Sequence, residues 1–204
     1  MLTVYLARHG QTDWNKAKRL QGWTDIPLNE TGRGQAENLA RRLSGVPLDS
    51  IFTSNLSRAR ATAGALEGRA PVTIDEGLRE RCMGAFEGFS VDGSDPERQE
   101  EFLRRKHAAG DDLDGGETIE GFRERVVSTV DRIVAGHPAG TILIVGHGAT
   151  NSMVVGRFLQ LSIPEIAKLW FANDDLYRIE SPDGETGRVW KEIGGSETLR
   201  FWRQ

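Results

Sequence analysis

Short apolar runs alternate with amphipathic stretches along most of this 204-residue chain, and this alternation constrains the fold more than any other feature. The runs Leu2–Ala7 and Thr141–Val145 are typical of buried strands. Between them, apolar residues spaced three and four apart predict a helix over about Glu117–Ala135, which Gly136 ends. Strands that alternate with helices form largely parallel sheets covered on both faces and joined by right-handed crossovers. The pattern therefore predicts an α/β fold, a three-layer α/β/α sandwich with a largely parallel six-stranded sheet.

The remaining elements follow from the same periodicities and from turn residues. The six predicted strands are Leu2–Ala7, Ser50–Thr53, Val72–Ile74, Thr141–Val145, Leu176–Glu180 and Val189–Ile193. The predicted helices run over about Asn29–Ser44, Ser57–Glu67, Asp95–Ala108, Glu117–Ala135 and Ala149–Leu161. The turn Pro182-Asp183-Gly184 predicts that the last two strands form a hairpin. We predict one domain over residues 1–204, with the glycine-rich stretch 84–116 as a small lid insertion.

Charge and cysteine content disfavour several classes of protein. The 26 Lys and Arg and the 30 Asp and Glu leave a net charge of −4, which disfavours binding to nucleic acid. No apolar run reaches the ~20 residues of a membrane helix, so no membrane partner is expected. Cys82, the single cysteine, cannot form an intrachain disulfide, and the first residues lack a signal-peptide pattern. We therefore expect a cytoplasmic protein. If Leu176–Glu180 is an edge strand, it can pair with the same strand of a second copy and form a homodimer.

The tetrapeptide His-Gly-x-Thr occurs twice, each time directly after a predicted strand. The copies are His9-Gly10-Gln11-Thr12 and His147-Gly148-Ala149-Thr150. Ligands of open α/β sheets bind outside the carboxyl ends of the strands, so the two histidines can face each other across one pocket. Each glycine allows close approach of the backbone, and each following helix start offers N–H groups to an anion.

Two arginines accompany these histidines at strand ends. Arg8 precedes His9, and Arg58 follows the strand Ser50–Thr53 near the start of a predicted helix. A cation at a helix start opposes the helix dipole unless an anion binds there. Guanidinium groups pair with phosphate oxygens in a bidentate manner, so two Arg and two His suit a dianionic phosphoryl group.

At this point the chain resembles the histidine phosphatase superfamily, in its phosphoglycerate mutase-like branch, and most of all the broad phosphatase members. Six motifs occur in the order of the family between about residues 2 and 160. They are Arg8-His9-Gly10-Gln11-Thr12 with Asn15, Gly22-Trp23-Thr24-Asp25 with Gly32, Ser54-x-Leu56-x-Arg58, Leu78-Arg79-Glu80 through Glu87-Gly88, Gly115-Gly116-Glu117-Thr118, and Gly146-His147-Gly148. The tail after Leu161 departs more from the family pattern.

The resemblance implies a role for each matched residue. His9 would be the nucleophile that becomes phosphohistidine, and Glu80 would donate a proton to the leaving alkoxide and then take one from water. Arg8, Arg58 and His147 would hold the phosphoryl oxygens. The resemblance adds a set of binding residues, namely Asn15, Gln21, Gly22 and Gly148. No cofactor and no metal are expected.

The family includes two reactions, hydrolysis of phosphomonoesters and transfer of phosphate within phosphoglycerate. The short lid and Gln21 favour hydrolysis, and Arg104-Arg105 is the one candidate for the paired-arginine clamp of mutases. We therefore predict a metal-independent phosphatase of small phosphomonoesters, with a 2,3-bisphosphoglycerate-dependent phosphoglycerate mutase as the alternative. A zinc hydrolase would use His9, His147 and Glu80, but the adjacent arginines would repel a dication. A phosphate-binding protein without catalysis is a further alternative.

Overall fold

The computed structural model describes residues 1–192 and 200–201, and within them one mixed sheet of seven strands. The strands are β1 (Leu2–Arg8), β2 (Ser50–Thr53), β3 (Val72–Ile74), β4 (Gly140–Gly146), β5 (Leu176–Ser181), β6 (Arg188–Glu192) and β7 (Arg200–Phe201). Their order across the sheet is β3-β2-β4-β1-β5-β6-β7. The first four strands in this order run parallel, and β5, β6 and β7 are antiparallel to their neighbours.

Helices connect the parallel strands and cover the sheet. They are α1 (Asp13–Lys16), α2 (Glu30–Arg42), α3 (Ser57–Gly64), α4 (Pro96–Arg105), α5 (Ile119–Ala135), α6 (Gly148–Leu159) and α7 (Ile163–Ile166), with 3-10 turns at Glu76–Leu78 and Gly84–Phe86. Side chains cap several of the helix starts, and α2 and α5 are examples. Asn29 accepts a hydrogen bond from the N–H of Gly32, and Thr118 accepts one from the N–H of Gly121. No helix in the described part of the chain is long and apolar enough to cross a membrane.

The core has one apolar cluster on each face of the sheet. Strand β4 supplies both clusters because successive side chains point to opposite faces. Ile142 and Ile144 pack with residues of α5 and α6, whereas Leu143 and Val145 pack with residues near α2 and α3. All four side chains are fully buried, which explains the uninterrupted apolar run in the sequence. The three-layer α/β/α prediction is therefore confirmed.

All six predicted strands are present, and the predicted hairpin is the pair β5–β6. The structure adds β7, two residues long, beside β6. Ile193, the last residue of one predicted strand, lies outside the described residues. Strand β5 pairs with β1 on one side and with β6 on the other, so it is not an edge strand. The condition for a homodimer through Leu176–Glu180, that this strand is an edge strand, is therefore not met, because β6 pairs with its other side.

The lid stretch 84–116 packs around a small apolar cluster of its own, formed by Phe86, Phe102 and Leu113. Helix α4 lies in this stretch and ends at Arg105, three residues before the predicted end. The Arg105 guanidinium at this helix end binds carboxylates of Glu101, Asp111 and Asp114 at 3.0, 2.9 and 2.9 Å.

A buried arginine joins the lid to the rest of the molecule. Arg81 donates hydrogen bonds to the carbonyl oxygen of Lys106 in the lid and to that of Glu117, the latter at 2.7 and 2.9 Å. A third acceptor, the Asp111 carbonyl, lies 3.4 Å from the same guanidinium. The backbone of the lid is thus tied to the residue that follows Glu80.

Candidate active site

The two predicted histidines meet at the carboxyl ends of β1 and β4. The parallel register pairs Arg8 with Gly146, the last residue of each strand, so the next residue of each chain segment is a histidine. The His9 N–H donates to the Gly146 carbonyl at 2.9 Å. The ring centroids of His9 and His147 lie 5.0 Å apart, with the ring planes at 57°. The repeated motif therefore corresponds to one place in the fold.

The hydrogen bonds of His9 define which ring nitrogen is free. Nδ1 lies 2.7 Å from the Gly10 carbonyl oxygen, which can only accept, so Nδ1 carries the proton. Nε2 then holds a lone pair. Burial, followed by the charges of Arg8 and Arg58, keeps the pKa of His9 well below its ordinary value of 6.5. The ring is therefore neutral and nucleophilic near pH 7.

His147 is fully buried beside His9 and is also neutral. Burial, then Arg58 and His9, hold its pKa well below the ordinary 6.5. Its Nε2 lies 2.7 Å from Ser54 Oγ, which also accepts a 3.4 Å hydrogen bond from the Leu56 N–H. The Ser54 hydroxyl can donate its proton to Nε2, and in that tautomer the imidazole proton is on Nδ1.

We expect the free energy of unfolding to fall as the pH falls below 6.5. In the unfolded chain His9 and His147 take up protons near pH 6.5, whereas in the folded chain both stay neutral to lower pH. The unfolded state then binds more protons, and stability is lost by up to about 1.4 kcal/mol per pH unit for each histidine. Urea unfolding at about pH 7.5 and 5.5 measures the slope. A double variant with glutamine at both positions is expected to flatten it, and an unchanged slope would contradict the assignment.

Two glycines hold the loop that follows His9. A Cβ on Gly10 would lie 2.3 Å from the Gly32 carbonyl oxygen, and a Cβ on Gly32 would lie 2.1 Å from the Gln11 carbonyl oxygen. The Gly10 N–H donates to Thr62 Oγ1 at 3.0 Å. Helix α2 and the loop therefore touch backbone to backbone, which explains why Gly32 belongs to the second motif.

Gly32→Ala is expected to destabilise the protein by about 1–3 kcal/mol, since the added methyl group must separate α2 from the loop. The matched control is Gly34→Ala on the same helix, where an added Cβ meets nothing within 4 Å. That control is expected to gain about 0.5–1 kcal/mol from helix propensity. Chemical denaturation of both variants measures the difference. Equal effects at the two positions would contradict the close contact.

Arg58 is fully buried and is oriented by backbone carbonyls. Its Nη1 donates to the Thr24 carbonyl at 2.9 Å, and its Nη2 donates to the Gly22 carbonyl at 2.7 Å. Burial lowers its pKa to about 10, with Glu80 opposing that shift, so the guanidinium stays charged near neutral pH. Arg8 is oriented in the same way, because its Nη1 donates to the Phe171 carbonyl at 2.7 Å.

Three nitrogen atoms of these side chains have no hydrogen-bond partner although they are buried. They are Arg8 Nε, Arg58 Nε and His147 Nδ1. Buried polar atoms are nearly always paired, so three such donors around one histidine indicate a place for an acceptor with several oxygens. With two guanidinium charges beside them, the chemistry fits an anion such as a phosphoryl group.

Glu80 lies at the first turn of α6, where backbone N–H groups meet its carboxylate. The N–H of Ala149 donates to Oε2 at 3.1 Å, and the N–H of Thr150 donates to Oε1 at 3.2 Å. A Cβ on Gly148 would lie 3.7 Å from Glu80 Oε2 and 3.6 Å from Arg8 Cζ. Glu80, Gly148 and Arg8 thus meet beside the two histidines.

Asn15 and Gln21 present their amide groups in a fixed orientation. Asn15 Oδ1 accepts from the Thr12 N–H at 3.1 Å, and Gln21 Oε1 accepts from the Thr12 hydroxyl at 3.0 Å. With both oxygens occupied, the two NH₂ groups remain as donors. Gly22 has a φ of +53°, and its carbonyl oxygen is one of the acceptors that orient Arg58.

These residues surround one cavity of about 610 Å³. Its polar part is lined by Arg8, His9, Asn15, Gln21, Gly22, Arg58, Glu80 and Gly148. The structure therefore brings eight of the nine predicted site residues to the lining of one cavity. The ninth, His147, is fully buried, and its ring centroid lies 5.0 Å from that of His9.

Comparison with known proteins identifies the family. A sequence profile described as the histidine phosphatase superfamily (branch 1) matches residues 4–192. The chain belongs to this superfamily. Within it, "Probable phosphoglycerate mutase GpmB" of Photorhabdus laumondii is 33% identical over 186 residues, covering 88% of this chain and 85% of that protein.

Solved structures of superfamily members show the same fold. YhfR of Bacillus stearothermophilus superimposes with a TM-score of 0.79 at 34% identity, covering 93% of this chain and 95% of that chain. The mycobacterial glucosyl-3-phosphoglycerate phosphatase Rv2419c gives 0.78 at 27% identity, covering 94% and 97%. The neighbours of this histidine phosphatase superfamily member thus include both phosphatases and phosphoglycerate mutase-like proteins.

Several residues that support the site had no assigned role in the sequence analysis. Trp23 Nε1 and Arg125 Nη2 donate to the Glu80 carbonyl oxygen at 2.7 and 3.2 Å. Asn173 Nδ2 donates to the His9 carbonyl oxygen at 2.8 Å. Glu87 accepts from the backbone N–H of Trp23 at 2.8 Å. Trp23 and Glu87 stand in the motifs, which was a signal of importance, whereas nothing in the sequence marked Arg125.

The geometry also bears on the zinc-hydrolase alternative. That alternative needs at least three His, Cys, Asp or Glu side chains close enough to share one metal ion. No such group occurs among residues 1–192 and 200–201. His9, His147 and Glu80 do not form the ligand set that the alternative assigned to them.

Proposed function

We propose that this chain is a metal-independent phosphatase that hydrolyses small phosphomonoesters through a phosphohistidine on His9. The observation that carries the proposal is the set of three buried, unpartnered nitrogens beside a neutral histidine with a free Nε2. Such preorganised donors stabilise the charge of a phosphoryl group in transfer. Family membership supports the same chemistry.

The proposed reaction has two steps that use the same residues. In the first, His9 Nε2 forms a bond to phosphorus while the bond to the ester oxygen breaks, and Glu80 donates its proton to the departing alkoxide. In the second, Glu80 takes a proton from water, the water oxygen attacks phosphorus, and the bond to Nε2 breaks. The products are the alcohol and inorganic phosphate, and both residues return to their starting states.

The state of the lid arginines supports hydrolysis over mutase activity. Arg105 is held by three carboxylates, so it has no free charge for a substrate. Arg104 is exposed and does not line the cavity. The pair therefore lacks the features of a substrate clamp. The 2,3-bisphosphoglycerate-dependent mutase is the second candidate, because the relative from Photorhabdus laumondii is named a probable phosphoglycerate mutase.

The test is phosphate release from a panel of phosphomonoesters, with EDTA and without 2,3-bisphosphoglycerate, using His9→Ala as the blank. Release by the wild type alone would support the phosphatase. Conversion of 3-phosphoglycerate to its 2-isomer on addition of 2,3-bisphosphoglycerate, without release, would overturn it in favour of the mutase. Binding of inorganic phosphate with neither reaction would overturn it in favour of a binding protein.

The proposal includes a cytoplasmic location and a small-molecule substrate. Its support is the single cysteine, which fits a reducing compartment, and a cavity of small-molecule size. Fractionation of cells that express the chain tests the location.

A further inference from the structure

Most of the cavity wall is apolar, although the proposed chemistry occupies only its polar part. Beyond the phosphate-binding residues, six of the side chains that form this wall are Leu20, Phe102, Leu103, Met153, Ile166 and Trp170. We call these six residues the apolar wall. At about 610 Å³ the cavity has the size of a site for a small organic ligand, well beyond a phosphate group alone.

The apolar wall comes from four separate parts of the chain, and two of them supply its most exposed residues. Helix α4 of the lid supplies Phe102 and Leu103, and the residues that follow α7 supply Trp170. Leu103 is 51% exposed and Trp170 is 76% exposed, although both are large and apolar. Exposed apolar side chains that line a cavity mark a surface for an apolar ligand group.

Polar partners for the hydroxyl groups of a sugar or a polyol are few along this wall. Ser152 Oγ already donates to the Gly148 carbonyl at 3.1 Å, and Asn173 Nδ2 already donates to the His9 carbonyl. A hydroxyl group buried there without a partner would cost about 1–3 kcal/mol. The wall therefore disfavours leaving groups rich in hydroxyls.

Cationic side chains also reach the cavity, as does the exposed His107, whose imidazole can bond a hydroxyl group. Lys18 and Arg19 are exposed, so their charged ends can stay in water. Lys106 is half-buried, and its Nζ lies 5.8 Å from the Phe102 ring centroid. A carboxylate on the substrate could pair with Lys106, so 3-phosphoglycerate is the substrate to compare with esters of apolar alcohols.

We propose, building on the proposed phosphatase function, that the preferred substrates are phosphomonoesters of bulky apolar alcohols. The phosphoryl group binds at His9, Arg8 and Arg58. The apolar leaving group lies between Leu103 of the lid and Trp170. The hydrophobic area that the substrate buries there, rather than hydrogen bonds to its alcohol part, sets the specificity.

The first arm of the test compares phenyl phosphate with 2-naphthyl phosphate, which have similar aryl oxide leaving groups and differ in apolar area. We expect kcat/KM to be about tenfold higher for the naphthyl ester. Trp170→Ala is expected to reduce that ratio to about threefold or less, and Trp170→Phe to restore most of it. The control is Ile74→Ala, an exposed apolar position on β3 that does not line the cavity, which is expected to leave the ratio unchanged.

Equal kcat/KM for the two aryl esters, or a preference for 3-phosphoglycerate over both, would overturn the inference. A second arm uses phosphonates, which bind without being hydrolysed. Calorimetry is expected to give about tenfold tighter binding of 2-naphthylmethylphosphonate than of methylphosphonate. Such selectivity without turnover of any ester would overturn the phosphatase and keep the apolar site. Turnover with equal binding of the two phosphonates would overturn the apolar site and keep the phosphatase.

Discussion

His9→Ala is expected to lower kcat/KM for phosphomonoester hydrolysis by about 10⁴-fold or more, because the variant lacks the nitrogen that we propose bonds to phosphorus. The neighbouring imidazole of His147 is not expected to replace it, because it is fully buried and its Nε2 is paired with Ser54. Initial rates of phosphate release measure the loss. Intact-protein mass spectrometry after an alkaline quench is expected to find a phosphoryl adduct on the wild type and none on the variant.

The matched control is His137→Ala, which removes a histidine near the amino ends of β2 and β4, whereas His9 lies at the carboxyl ends of the parallel strands. His137 Nε2 lies 3.0 Å from Ser50 Oγ, and Nδ1 lies 2.9 Å from the Ile133 carbonyl oxygen, before β4 begins. This variant is expected to keep its activity, while circular dichroism monitors the folding of both variants. Retention of a tenth or more of the activity by His9→Ala would refute the assignment of the nucleophile.

Glu80→Gln is expected to lower kcat/KM by about 10²–10⁴-fold for an alkyl phosphate, whose alkoxide departs only with a proton. For 4-nitrophenyl phosphate the loss is expected to be much smaller, because that leaving group is stable as an anion. The second step still needs a base, so rapid mixing is expected to show a burst of nitrophenol followed by slow turnover. The amide has nearly the shape of the carboxylate, and the hydrogen bonds that Trp23 and Arg125 donate to the Glu80 backbone carbonyl are untouched.

A structural role for Glu80 would have a different signature. Its carboxylate accepts from the N–H groups of Ala149 and Thr150, so the loss of these contacts could disturb α6. In that case both substrates would lose activity by the same factor and no burst would occur. Glu80→Asp, which keeps the acid, is expected to restore part of the alkyl phosphate activity, whereas a disturbed helix would not recover.

The sheet could be predicted from sequence where burial on both faces leaves a continuous apolar run. Strands β1 and β4 are such runs, and because they are parallel and in register, the histidines that follow them had to be neighbours. The same reasoning placed Arg8 and Arg58 near them. Helices α1 and α7, each of four residues, are too short to show any periodicity, so the sequence could not predict them.

The orientation of the site residues depends on contacts between distant parts of the chain, which no local pattern encodes. Arg58 is held by carbonyl oxygens of the Gly22 segment, and Asn173 reaches the His9 carbonyl from 164 positions away. The interior position of β5 likewise depends on where β6 and β7 pair. The preference for hydrolysis over mutase activity also needed the structure. Whether Arg105 is free or neutralised depends on its ion pairs, which the local sequence does not show.

Arg81 limits how freely natural variation or protein engineering could exchange one lid for another. Its guanidinium binds the lid through the Lys106 carbonyl, and its own N–H donates to Glu80 Oε1 at 3.0 Å. A replacement lid that offers no carbonyl oxygen at this position would leave Nη1 of a buried cation unpaired next to Glu80, although the Glu117 carbonyl would still bind Nε and Nη2. Grafted lids that keep this backbone acceptor are therefore the ones in which altered substrate range is expected without a loss in turnover.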